Sequence, residues 1–293
     1  MNTLFRLLGR LPLLVLHALG AALGLVVWAV AGRYRRILAE NLGRALGRTA
    51  TLGERLHAAL EAGKGAFETA WVWSRPSEQI VKTVRSTSGW DAVLAARDAG
   101  RGVLFVTPHL GCFEISAQYY AAEAGPITVL FRRPRKAVLA PLMDAGRNRG
   151  RMRAVPADSS GVRALLKALK GGEAIGILPD QVPQAGEGLW APFFGRPAYS
   201  MTLAARLASQ NGAATFLAFA RRLPLGRGYH LHLEPLALPE ASPEVRVAAL
   251  NAALERLILS CPEQYLWGYN RYKSPRSAPA APASEPSGST SRP

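Results

Sequence analysis

The run Gly-Val-Leu-Phe-Val-Thr at 102–107 is apolar almost throughout and stops at Pro108. A short continuous apolar run closed by Pro reads as a buried strand, and the Pro ring fixes the turn that follows. The pattern then recurs. Strand-like runs at 102–107, 127–131, 174–178, 214–220 and 229–233 alternate with helix-like runs at 114–124, 137–147, 160–170, 201–211 and 244–259. Such alternation predicts an α/β domain, a mostly parallel central sheet flanked by helices, with an antiparallel addition near Tyr229.

This pattern puts His109 where a strand meets a helix, at the carboxyl end of the sheet, where open α/β sheets bind ligands. Glu114 follows five positions later. On one ideal helix that step is about 500°, which points the two side chains apart. They meet only if His109 lies in the turn and Glu114 in the first helical turn, where the helix dipole favours an ionised carboxylate. A base beside a carboxylate is the minimum equipment for taking a proton from a hydroxyl, and Glu114 is expected to hold the imidazole tautomer. Of the five histidines, His109 alone has a strand end and an acid this close. His230 and His232 share one face of an alternating strand, but no third metal ligand lies near them.

The amino-terminal residues add a second constraint. The 21 residues at 11–31 carry no formal charge with His17 neutral, a length that spans a bilayer core. Arg6 and Arg10 precede them, and Arg33, Arg35, Arg36, Arg44 and Arg48 follow. The excess of positive charge after the segment places the following domain in the cytoplasm. Basic residues on both sides also suit a helix lying in the interface. Expected boundaries are a membrane anchor at 1–34, a catalytic domain at 35–273, and a disordered Ser-, Pro- and Ala-rich tail at 274–293. The formal net charge is +16, and only six of the 36 basic residues are lysines. This suits an anionic membrane surface or an acidic substrate or carrier. Nucleic acid is not expected, since no zinc finger, ribonucleoprotein motif or basic zipper is present. Two cysteines give neither a disulfide framework nor zinc-ligand spacing, and Cys112 reads as a small buried thiol.

Other groups point toward the same edge of the sheet. FRRPRK at 131–136 follows the second strand, and Arg147, Arg149, Arg151 and Arg153 follow the next helix. Together they would make that edge cationic and suited to phosphate. The run ending in Leu178 and Pro179 repeats the first motif, so Asp180 should emerge beside His109. The segment at 188–195 is expected to line an acyl-chain groove or to cap the core. The aromatic and basic segment at 262–273 suits a membrane-facing rim.

HLGCFE, FRRPRK, GRNR, LPDQ, APFFG and PEQYLWGYNRYK stand in the order found in the bacterial lipid A biosynthesis acyltransferases of the lauroyl- and myristoyl-transferase type. The chain resembles that family from its amino-terminal segment to Lys273. The resemblance implies a glycerolipid-acyltransferase-like fold. It also implies transfer of a fatty acyl group from acyl carrier protein to a hydroxyl of an anionic lipid A precursor, with no metal and no further cofactor. It marks His109 and Glu114 as the catalytic pair, and Arg132, Arg133, Arg147 and Asp180 as substrate-binding. The chain departs from the family pattern twice: Phe131 and a doubled arginine stand in place of Tyr-Arg-Pro, and Gly268-Tyr269-Asn270 replaces a His-Arg stretch. Other readings are an acyltransferase acting on another glycolipid or a glycerophospholipid, and a non-catalytic basic protein anchored to the membrane.

Overall fold

The computed structural model describes residues 3–132, 140–210 and 212–282. Its centre is a seven-stranded sheet of order β1-β9-β8-β2-β5-β3-β4. The strands are β1 (Val84–Ser88), β2 (Val103–Val106), β3 (Ile127–Phe131), β4 (Met152–Pro156), β5 (Ala174–Ile177), β8 (Ala214–Arg222) and β9 (Tyr229–Pro235). β8, β2, β5, β3 and β4 pair parallel. β9 runs antiparallel to β8, the expected addition near Tyr229, and β1 pairs parallel to β9. Alternate residues of β2 enter two different cores. Leu104 and Val106 join Ile175, Ile177 and Leu217 on one face; Val103 and Phe105 join Ala174 and Phe216 on the other. A strand buried on both faces has no polar side, which is why these runs are apolar throughout.

Helices cover both faces. α9 (Ser159–Lys170), α10 (Leu203–Gln210) and α11 (Pro243–Leu259) pack on the first core, and α6 (Trp90–Asp98) and α7 (Phe113–Glu123) on the second. Between β5 and β8 the chain forms an antiparallel hairpin, β6 (Gly188–Phe193) and β7 (Arg196–Met201). This is the segment expected to line a groove or cap the core. It does the second through buried Phe193 and Phe194, and Met201 also borders the cavity described below.

The helices before the sheet are α1 (Thr3–Arg10), α2 (Leu13–Val30), α3 (Gly32–Leu46), α4 (Leu52–Ser74) and the short α5 (Ser77–Val81). Gly47, left-handed at φ 66°, ends α3, and a capping box of Thr51 and Glu54 starts α4. α2 is long and apolar enough to cross a membrane, yet it is not a free anchor. Leu13, Leu16, His17, Gly20 and Gly24 are buried, and a Cβ at Gly24 would strike the Ala59 carbonyl of α4. Small residues four apart let the two backbones approach this closely. The other side exposes Leu14, Leu19, Leu23, Val26 and Val30.

Candidate active site

The register of the sheet builds the site. Val106 of β2 lies opposite Ile177 of β5, and Thr107 donates to the Ile177 carbonyl at 3.0 Å. Each strand then runs into Pro, and the residue after each Pro is the polar one. His109 and Asp180, each three beyond a paired residue, therefore emerge side by side. The His109 backbone N–H donates to Asp180 Oδ2 at 2.9 Å, and His109 Nδ1 lies 2.8 Å from Asp180 Oδ1. An ionised carboxylate only accepts, so Nδ1 carries the proton and Nε2 is the basic nitrogen. Nε2 lies 3.2 Å from the Gln181 amide nitrogen, and the Phe113 ring packs against the imidazole at 4.9 Å. Asp180 is 2 % exposed. Burial works against its charge, but the facing imidazole and both hydrogen bonds from His109 outweigh it and hold its pKa below the ordinary aspartate value.

Glu114 occupies the first turn of α7, as its spacing required, but the expected hydrogen bond to His109 is replaced. Both Glu114 oxygens accept from Arg147, at the carboxyl end of α8 (Ala140–Arg147), with Nε at 3.1 and 3.2 Å and Nη2 forming the ion pair. Trp73 Nε1 of α4 donates to the same carboxylate at 3.1 Å, and the Arg147 guanidinium lies 5.2 Å from the Trp73 ring centre. The left-handed turn at Gly111, φ 59°, separates the two side chains. His109 faces β5, and Glu114 faces α4 and α8.

His109, Glu114, Arg132, Arg147 and Gln181 share the wall of one cavity of about 280 Å³. Its remaining wall is largely apolar and includes Ala117, Val129, Phe131, Met152 and Ile177. Arg132 is exposed and donates to the Val182 carbonyl at 3.3 Å. Arg133 lies outside the described residues. The cationic rim is smaller than the arginine row predicted. Arg149 is bonded to the Val72 and Arg75 carbonyls of the α4 end, and Arg151 to the Ala121 and Ala122 carbonyls. His230 and His232 face the serines of β1, with Ser86 Oγ at 2.8 Å and Ser88 Oγ at 3.0 Å.

The segment at 262–273, expected at a membrane rim, is a latch. Tyr265, Trp267 and Arg271 are buried. Leu266 donates to the His109 carbonyl at 3.1 Å, and Gly111 donates to the Gln264 carbonyl at 3.1 Å. Val182 donates to the Tyr269 hydroxyl at 3.0 Å. One segment thus holds both site loops, and Tyr269 is one of its contacts. Gln181, Gln264 and Tyr269 had no assigned role in the sequence reading. Only the shared position of Gln181 beside Asp180 hinted at one.

The family model described as bacterial lipid A biosynthesis acyltransferase matches residues 1–274. A lipid A biosynthesis lauroyltransferase of Escherichia coli strain K12 is 28 % identical over 276 residues, covering 90 % of this chain and 87 % of the relative. A lipid A biosynthesis palmitoleoyltransferase of the same organism is 29 % identical over 216 residues, covering 72 % and 69 %. The chain belongs to the bacterial lipid A biosynthesis acyltransferase family.

Proposed function

We propose that this acyltransferase moves a fatty acyl chain from an acyl carrier protein thioester to a hydroxyl of a lipid A precursor, with His109 as general base. The observation that carries the reading is the imidazole, fixed in its Nδ1–H form by buried Asp180, on the wall of a largely apolar cavity. A free hydroxyl is a poor nucleophile at neutral pH. Nε2 takes its proton as the oxygen attacks the thioester carbonyl. The tetrahedral intermediate collapses, the C–S bond breaks, and the imidazolium returns the proton to the departing thiolate. The products are an ester and a thiol, and neither metal nor further cofactor takes part. Asp180 stabilises the imidazolium, as the acid does in a triad.

The apolar wall receives the acyl chain. Glu114 and Arg147 act as a clamp that shapes the other side of the cavity, and exposed Arg132 is placed to meet a phosphate of the acceptor. The exposed side of α2 rests in the inner membrane with the domain on the cytoplasmic side, and the positive net charge favours the acidic carrier. The test is acyl transfer by purified protein from acyl carrier protein thioesters to a lipid A precursor. Wild type transfers, and His109→Ala loses about 10³-fold or more in rate while it remains folded. Transfer to a lysophospholipid alone would overturn the acceptor, and a His109→Ala variant of normal rate would overturn the base.

A further inference from the structure

A cluster of buried charge lies behind the His109 turn, outside the cavity. Arg222, at the end of β8, sends its guanidinium three ways. Nε donates to Glu68 at 2.7 Å, Nη1 to Glu61 at 3.3 Å, and Nη2 to the Gly111 carbonyl at 2.9 Å. Glu68 also accepts from the Tyr229 hydroxyl at 2.8 Å and lies 2.7 Å from His17 Nε2 of α2. Burial pushes the Glu68 carboxyl up, but Arg222 and His17 outweigh it and hold it down at about 2. Burial likewise opposes the charge on Arg222, and Glu68 and Glu61 more than restore it.

A buried ion pair is rarely worth net stability against well-packed apolar residues. What it supplies here is direction, because the guanidinium fork is rigid and one prong is spent on the carbonyl midway between His109 and Glu114. The rest of the turn is held from the same side. Cys112 donates to the Ala220 carbonyl at 2.8 Å. The Gln264 side chain accepts from the Arg222 N–H at 2.9 Å and donates to the Arg222 carbonyl at 3.2 Å. A Cβ at Gly111 would collide with the Ala220 carbonyl, so glycine is what lets the turn lie this close to β8.

We propose that Arg222 and Glu68 are positioning residues for acyl transfer: they hold the Gly111 carbonyl so that His109 meets Asp180 and Glu114 meets Arg147, and His17 ties this turn to the apolar helix α2. The inference rests on His109 being the base. The test uses the full chain in detergent micelles, with single-turnover transfer and KM measured per folded molecule. Arg222→Lys and Glu68→Gln are expected to lower the rate by about 10- to 100-fold with KM nearly unchanged, the cost of sub-ångström misplacement of a base. His17→Leu, which keeps α2 apolar and leaves Arg222 on Glu68, is expected to lower it several-fold. In a Cys261→Ser background, a thiol reagent reads opening of the turn through buried Cys112. Labelling should be faster in all three variants than in the background protein.

Unchanged rates per folded molecule would overturn the proposal, as would losses accounted for by a smaller folded fraction. If the two charge variants fail to fold, His17→Leu decides: a normal rate and normal Cys112 labelling overturn it. A wild type that transfers nothing would instead defeat the proposed transfer reaction on which this inference rests, while the labelling, which needs no substrate, still tests the hold on the turn.

Discussion

Asp180 and Glu114 are both buried carboxylates close to His109 in sequence pattern, but their partners separate their roles. Asp180 holds both the backbone N–H and the Nδ1 of His109; Glu114 neutralises Arg147. Removing one member of a buried pair leaves a charge without its partner, which costs about 3–5 kcal/mol, whereas removing both costs far less. Glu114→Ala is therefore expected to lower stability by about 3 kcal/mol, and the double change Glu114→Ala with Arg147→Met to recover much of it. Chemical denaturation of the four proteins measures this. Additive losses would show that the pair contributes no coupling. That Asp180 holds His109 was half legible beforehand. The matching strand-Pro-polar pattern placed both at one edge, but the contact follows from β2 and β5 being neighbours, and nothing local in the sequence states strand order.

Secondary elements show the same division. The central strands were legible because they are buried on both faces and therefore apolar. β1 and β4 were missed because they are the edges of the sheet: β1 reads Val-Arg-Ser-Thr-Ser, and β4 carries Arg153 and ends in Pro156. α2 was legible as an apolar helix but not as a packed one, since Gly20 and Gly24 look equally at home in a free membrane span. Their role appears only against Gly63 and Ala59. Gly24→Leu should therefore destabilise the fold by about 1–3 kcal/mol or more through overpacking, although it makes the helix more hydrophobic. A lower thermal midpoint in micelles is the expected result. An unchanged midpoint would mean that α2 does not depend on α4.

Across the whole molecule, a buried polar cluster joins three layers: α2 through the His17–Glu68 contact, α4 through Glu68, and the sheet through the Arg222–Glu68 ion pair. The Glu68 pKa of about 2 lies below the ordinary glutamate value near ~4.3. A depressed folded-state value means that the stabilisation is complete above the unfolded value and is lost as pH falls toward the folded one. The gap between the thermal midpoints of wild type and Glu68→Gln should thus be full at neutral pH and narrow as pH falls from about 4 toward about 2; a gap that stays constant would show that this carboxylate carries no linkage. The latch at 262–273, the buried charge cluster and the strand register all converge on one imidazole. The single-turnover transfer rate of Asp180→Asn, measured beside wild type with a carrier thioester and lipid A precursor, examines that convergence most directly. The rate should fall by about 10³-fold at neutral pH with the fold retained, because the asparagine no longer fixes the Nδ1–H tautomer or stabilises the imidazolium. A rate within about twofold of wild type would contradict the assignment of His109 as a base held and stabilised by Asp180.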